Sequence, residues 1–261
     1  MGRASSDYRL SHTDPTKGAT YDAHYLSDPH DRILWRLEQQ ILSEHLDTRF
    51  RGKEIHLLDF ACGTGRIAHF LEPRVTRSVG VDVSASMLDQ ARRKLTRTRL
   101  ILADLTRQNV LAGQHFGLIT AFRFFVNAEP SLRENVMGIL ASLLTEDGCL
   151  IFNNHHNRTM PWWTLMHIRN RRKNTPKTLN VMTRHEMKQL ASQAGLQTVS
   201  IFHAGILPPP LIQAIPESWA FALENKARRL RWLAPLAADL IAVCERRGAS
   251  HAPCPKLRAT P

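Results

Sequence analysis

From residue 55 onward, short apolar runs alternate with stretches of helical periodicity, and this alternation restricts the chain to an α/β fold. Residues 55–60, 78–82, 100–103, 116–122 and 149–153 read as strands. They are apolar on both sides, as strands are when helices cover both faces of a sheet. Helical stretches fall between them at 65–71, 84–96 and 130–145, the last stopped by Asp147-Gly148. Strand and helix in succession predict a doubly wound, mostly parallel sheet. Ahead of it, Ile33, Leu34, Leu37, Ile41, Leu42 and Leu46 recur at three- and four-residue spacing, which predicts an amphipathic N-terminal helix over 29–50. Beyond residue 154 the rhythm loosens into a helix over 183–194, a strand over 196–202, a helix over 217–233 and a last strand over 239–244.

The organisation expected is a polar N-terminal tail (1–28), one domain (29–247) and a Pro-, Ala- and Arg-rich disordered tail (248–261). Within the domain, 55–157 forms a cofactor-binding core and 158–235 a basic cap and substrate region. No run of about eighteen apolar residues predicts a membrane span, and the N-terminus lacks the apolar core of a signal peptide. Cys62, Cys149, Cys244 and Cys254 show neither CxxC pairing nor His partners at ligand spacing. No metal site is expected, and the cysteine usage suits a reducing cytoplasm. The net charge of +12 is unevenly placed: residues 158–261 carry 16 Lys/Arg against 5 Asp/Glu, a net of +11. Such a basic region on a near-neutral core suggests one face for an anionic partner, a solvated basic face being the alternative.

The first strand runs into Asp59-Phe-Ala-Cys-Gly-Thr-Gly65. Gly63-Thr-Gly65-Arg-Ile-Ala68 fits G-x-G-x-x-G/A, whose glycines allow a tight turn and a close ligand but do not choose between ligands. Asp59, four residues before Gly63, does choose. A carboxylate there repels a pyrophosphate and suits S-adenosylmethionine, which has no phosphate and carries an ammonium and a sulfonium. The same carboxylate can fix neighbouring backbone amides. Asp82, at the end of the second strand, offers two acceptor oxygens to two adjacent ribose hydroxyls. Asp104, after the third, can accept from an adenine amine while Leu105 covers the ring.

Asp59-Phe-Ala-Cys-Gly-Thr-Gly65, Gly80-Val-Asp-Val-Ser84, Met87, Ala103-Asp104 and the strand 116–122 resemble the class I (Rossmann-like) S-adenosylmethionine-dependent methyltransferases. The resemblance covers 55–157 by motif and extends to about 247 by strand order. It implies a seven-stranded sheet with an antiparallel last strand, a substrate cap between the fifth and sixth strands, and S-adenosylmethionine as cofactor. Asp59, Ala61, Gly63 and Gly65 would line the methionine half. Asp82, Val83, Ser84 and Met87 would take the ribose and adenine side, Asp104 and Leu105 would hold the adenine, and Phe122 or Arg123 would lie beneath the methyl group. Tyr21-Asp22 resembles the segment that closes over the cofactor in this family; a packing tyrosine in a linker is the alternative. Gly117 departs from the pattern, since many members carry Asp there.

Methyl transfer asks a protein mainly to hold the acceptor in line, and a hydroxyl acceptor also needs a base. His155 and His156 stand just beyond the fifth strand, at the edge where ligands sit in such sheets. Neighbours on an extended segment point to opposite sides, so at most one of the two is expected to face the pocket; hydrogen-bonding loop histidines are the alternative. Asn127 and Glu129 are candidates for acceptor contacts, and Arg123 for an anion hook or the partner of Glu129. Arg169-Asn-Arg-Arg-Lys173 and Lys177, after Trp162-Trp163, form one basic cluster; Lys226, Arg228, Arg229 and Arg231 with Trp232 form a second. Both suit nucleic-acid phosphates or an anionic lipid surface, the latter giving a peripheral place at the inner membrane. No Asn/Asp-Pro-Pro-aromatic turn follows the fourth strand, which disfavours amino methylation of nucleic-acid bases. The function expected is O-methylation of a small molecule or glycan, on an anionic or carrier-linked acceptor. RNA methylation through the basic third and a non-catalytic S-adenosylmethionine-binding module are the alternatives.

Overall fold

The computed structural model describes residues 27–160 and 180–248. Tyr21, Trp162, Trp163, the basic run 169–177 and the tail beyond Gly248 lie outside the described residues. The elements, in chain order, are α1 (Pro29–Arg49), β1 (His56–Phe60), α2 (Arg66–Leu71), β2 (Arg77–Asp82), α3 (Ala85–Arg92), β3 (Thr98–Leu102), β4 (Phe116–Ala121), α4 (Pro130–Ser142), β5 (Leu144–His155), α5 (Arg184–Gln193), β6 (Leu196–Ala204), α6 (Pro209–Ala214), α7 (Glu217–Ala227) and β7 (Asp239–Arg246). Short 3-10 turns occupy Glu72–Arg74 and Arg231–Leu236.

The seven strands form one sheet in the order β3-β2-β1-β4-β5-β7-β6, with β7 antiparallel to both of its neighbours and every other pairing parallel. The chain winds outward from β1 in one direction through β2 and β3, then returns to β4 on the other side. That reversal opens a crevice beyond the carboxyl ends of β1 and β4, the place where ligands bind in open α/β sheets. Side chains alternate between two covered faces. Leu57, Leu118, Ile151 and Val243 pack with Ile41, Leu42 and Leu46 of α1 and Ile67 and Leu71 of α2. Leu58, Ile119, Leu150 and Phe152 pack with Val136, Met137 and Leu140 of α4 and Met187 and Leu190 of α5. The expected seven-stranded sheet and N-terminal helix are therefore present.

Local chemistry sets the element ends. Asp28 caps α1 through His30 N at 2.8 Å, with Pro29 in the first turn. Thr183 and Glu186 close a reciprocal capping box on α5. Some ends differ from expectation. α4 stops at Ser142, and β5 begins at Leu144 and continues through Asp147-Gly148, with a register shift opposite β4. The helix expected over 217–233 breaks after Ala227, where Arg228 folds inward onto Glu44 at 2.6 Å. β3, at the sheet edge, is only partly covered rather than buried on both faces. Of the stretch 158–235 expected as a cap, α5 and β6 belong to the body of the sheet and its covering layer.

Gly65 is the N-cap of α2 and holds a left-handed backbone with φ 78. A Cβ there would lie 2.7 Å from Leu95 Cδ1 and 3.2 Å from Ala91 Cβ. Gly65→Ala therefore combines backbone strain with overpacking and is expected to cost about 2–4 kcal/mol. The measurement is a lowered urea midpoint at unchanged slope.

Candidate functional site

Three non-glycine residues among those described adopt left-handed backbone: Ala61 (φ 52), Arg123 (φ 62) and His156 (φ 71). Each lies one or two residues beyond the carboxyl end of β1, β4 or β5, and these are three adjacent strands of the sheet. Such conformations cost of order 1–3 kcal/mol each and tend to mark positions where the backbone is bent to aim something. They locate the candidate site at the crevice that topology provides.

The glycine turn after β1 is fixed from below and from the side. Asp59 is fully buried; it accepts from Ala68 N at 3.1 Å, in the first turn of α2, and from Thr120 Oγ1 of β4 at 2.8 Å. Burial pushes its carboxyl up to about 7, against the lowering effect of these two hydrogen bonds. Cys62 N donates to Val81 O at 3.1 Å, and Lys94 Nζ donates to Thr64 O at 3.1 Å. Gly63 has φ 54, and a Cβ there would meet nothing within 4 Å, so the turn presents bare backbone to open space.

Asp82 joins this turn to the next. Its Oδ2 accepts from Gly63 N at 2.7 Å and its Oδ1 from Ser84 N at 2.9 Å, while its carbonyl accepts from Ala103 N at 3.0 Å. Ser84 caps α3 through Met87 N, and Met87 is buried behind it. Val83 is half-buried on the rim. Asp104 closes a tight turn, accepting from Thr106 N at 2.9 Å and Thr106 Oγ1 at 2.6 Å, with Arg107 Nε 3.5 Å from its other oxygen. Leu105 packs into the core beside Phe60 and Phe124. The three strand-end acids are thus brought to one edge, as expected, but Asp59 is wholly internal and Asp82 and Asp104 form the surface of that edge.

Beyond β4 and β5 the structure revises several expectations. Phe122 packs into the layer beneath α1, whereas Arg123 comes next to the two histidines. Asn127 directs its amide inward, with Nδ2 donating to Arg123 O at 2.7 Å, so it shapes the loop. His155 and His156 do not diverge: their rings are 4.9 Å apart, because the left-handed turn at His156 ends the extended geometry on which alternation depends. Burial, then the Arg123 guanidinium, holds His155 well below its ordinary value and His156 down to about 4. Both imidazoles are neutral at pH 7, and Nδ1 of His155 is enclosed without a hydrogen-bond partner among the described residues.

Sequence reasoning missed the polar layer under these residues. Asn153 Oδ1 accepts from Arg123 N at 2.6 Å and so holds the left-handed turn. Its Nδ2 donates to Asp239 Oδ2 at 3.1 Å and lies 3.5 Å from Glu38 Oε1. Glu38 pairs with Arg66 at 2.5 Å, and Asp239, fully buried beside Glu38, is raised well above the usual carboxylate range by burial first and that neighbour second. Asp31 of α1 lies 3.8 Å from the Arg123 guanidinium. One signal was available: Glu38 stands on the apolar stripe of α1, four residues from Leu34 and four from Leu42.

Residues 57–148 match the family model described as a methyltransferase domain. The sheet order, the glycine turn and the strand-end acids agree with that match. Over those residues the chain resembles a methyltransferase domain. A malonyl-[acyl-carrier protein] O-methyltransferase of Priestia megaterium is 26% identical over 145 residues, 54% of this chain and 48% of that protein. The chain spans just under half the length of the curated relatives it matches. Among solved structures, an S-adenosylmethionine-dependent methyltransferase of Thermotoga maritima superposes with TM-score 0.61 at 16% identity, covering 90% of this chain and 99% of that one. The N-methyltransferase NodS of Bradyrhizobium japonicum, in complex with S-adenosyl-L-homocysteine, gives TM-score 0.60 at 14% identity over 93% and 100%. These likenesses establish the methyltransferase fold. No helix among the described residues is long and apolar enough to cross a membrane.

The neutral histidines make the stability of the chain depend on pH. The unfolded chain protonates His156 at about its ordinary 6.5, but the folded chain only near 4. Their contribution is therefore full above pH 6.5 and is lost as pH falls toward 4. His156→Asn removes the titration and keeps a residue tolerant of left-handed backbone. It is expected to flatten the thermal midpoint between pH 6.5 and 4; an unchanged slope would assign the loss to other groups.

Proposed function

We propose that this chain moves the methyl group of S-adenosylmethionine to an oxygen of a small-molecule or glycan acceptor that bears negative charge. The observation that carries this reading is Arg123 held beside two neutral histidines at the crevice. The cofactor half fits the residues present. Gly63 leaves room for close approach, and a carboxylate accepts up to about four hydrogen bonds, so Asp82 is compatible with its two amides and a ribose diol together. Asp104 and the half-buried Val83 lie on the adenine side, with Leu105 and Met87 packed behind them. Bound there, S-adenosylmethionine supplies an activated methyl group.

The acceptor half follows from charge. His155 and His156 are weak bases, because their pKa lies far below neutral, and a general base works best near the operating pH. They suit hydrogen bonding and orientation better than removal of a proton from an alcohol. An acceptor oxygen that is already anionic requires no base, and Arg123 offers it a cation. The enclosed, unpartnered Nδ1 of His155 carries a desolvation cost of about 1–3 kcal/mol. The Priestia megaterium relative, named for O-methylation of a carrier-linked malonyl group, agrees with an anionic or carrier-linked acceptor. The exposed Lys226, Arg229 and Arg231 we read as a separate face for an anionic partner.

Two measurements test this reading. Asp82→Ala is expected to weaken S-adenosylmethionine binding by about 1–3 kcal/mol in isothermal titration; absence of binding by the wild type would overturn the cofactor assignment. Labelled methyl donor incubated with pools of carboxylic acids, glycans and RNA should label the first or second pool, and label confined to RNA would refute the acceptor class. With the acceptor in hand, Arg123→Met should lower kcat/KM by roughly ten- to a hundredfold, mainly through KM, as one charged hydrogen bond is lost.

A further inference from the structure

We propose that the α6–α7 segment and the 3-10 turn after it form a docking surface for an anionic lipid bilayer. Nine large apolar side chains are exposed among the described residues, and six of them fall within positions 211–236: Leu211, Trp219, Leu223, Leu230, Trp232 and Leu236. The two tryptophans are the most exposed of all, at 68% and 73%. Scattered single leucines need no explanation, but such a concentration does.

The segment has a built inner side and a bare outer side. Ala220 and Glu224 are buried, and Glu224 accepts from Ile206 N and Leu207 N at 3.1 and 2.6 Å. Glu217 binds Arg32 at 2.9 Å, and the Arg36 guanidinium lies 3.9 Å over the Phe221 ring, so α7 is fastened to α1. Trp219, Leu223 and Lys226 follow at intervals of four and three, one stripe of the helix, and Leu230 lies four residues further. Lys226, Arg229 and Arg231 are exposed along this segment. The only acidic residues from 208 to 238 are Glu224, which is buried, and Glu217, which is partly exposed and paired with Arg32. An outer surface of tryptophan, leucine and basic residues, whose one partly exposed acid is neutralised by Arg32, complements an anionic headgroup layer, where tryptophan sits at the interface and leucine enters the acyl boundary. RNA would use the cations and the flat indoles, but four exposed leucines have no task on phosphates or bases.

The surface is also continuous with the candidate site. Ala238 O accepts from His156 N at 2.7 Å and from Asn157 N at 3.0 Å, and Asn157 Nδ2 and Thr159 Oγ1 donate to Ala234 O and Pro235 O. The turn bearing Trp232 therefore holds the histidine loop. Docking would bring that loop to the bilayer, which suits an amphiphilic acceptor presented from the membrane. The proposal rests on the reading of Lys226, Arg229 and Arg231 as an anion-facing surface, and is independent of methyl transfer.

The test is flotation of the full chain with vesicles of phosphatidylcholine alone or of equimolar phosphatidylcholine and phosphatidylglycerol, alongside a gel-shift with single-stranded RNA. Binding is expected to the anionic vesicles, with a blue shift of tryptophan emission. Trp219→Ser/Trp232→Ser should weaken it at least about tenfold, and Lys226→Glu/Arg229→Glu/Arg231→Glu on the order of a hundredfold. All five positions are exposed, so thermal midpoints should stay near wild type and exclude unfolding as the cause. Equal binding of both vesicle types, or anionic-vesicle binding that neither variant weakens, overturns the proposal. Binding to RNA but not to vesicles sinks the lipid surface and leaves the anion-facing reading intact; binding to neither sinks both. Dimerisation that the tryptophan variant abolishes, without vesicle binding, would reassign the surface to a second copy of the chain.

Discussion

The arrangement depends on one buried carboxyl. Asp59 stands one residue before the end of β1, and its two oxygens hold the first turn of α2 on one side and Thr120 of β4 on the other. These are the elements that diverge at the crevice, so a single side chain sets both the direction in which the glycine turn leaves the sheet and the spacing of the strands beneath it. Burial is costly for a carboxylate, and it raises the pKa despite two hydrogen bonds. The group therefore behaves as a clamp whose charge is only partly expressed near neutrality. Asp82 extends the clamp by one strand, joining Gly63, Ser84 and Ala103.

The glycine turn and its acids were legible in the sequence because each is tied to a local event: a strand ends, the backbone turns, a carboxylate stands at a fixed offset. The same locality explains why the succession of strands and helices along the chain could be read. Roles were less legible than places. The sequence argument selected Asp59 both for a cationic ligand and for fixing neighbouring amides; its contact with Ala68 N fits the second, and its bond from Thr120 left no trace in the sequence. His155 and His156 were expected to diverge because nothing in two adjacent histidines announces a left-handed bend. Glu38, Asn153 and Asp239 are separated in turn by 115 and 86 residues along the chain and meet only because α1 lies across the sheet beside β5 and β7. Such long-range polar contacts leave little local trace, apart from a carboxylate on an apolar stripe.

The basic excess of the C-terminal third divides in a similar way. Arg228 is buried on Glu44, Arg158 pairs with Glu186, and Arg246 donates to the carbonyls of Ala141, in the last turn of α4, and Leu144, at the start of β5. These arginines satisfy internal acceptors and hold elements together. Net charge counted along a sequence merges such structural cations with those that face solvent. Only after the former are assigned do Lys226, Arg229 and Arg231 stand out, on a segment that, among the described residues, also exposes two tryptophans and four leucines.

Ala61, Arg123 and His156 have a consequence for how this domain can change. Glycine would adopt the same backbone at each position with less strain, so selection for heat resistance alone pushes all three toward glycine. Every such exchange would relax the fold and at the same time erase a side chain from the mouth of the crevice. Stability and chemistry therefore pull in opposite directions at three strand ends. Specificity is freest to evolve there, because exchanging one strained side chain for another adds little to a cost the fold already carries.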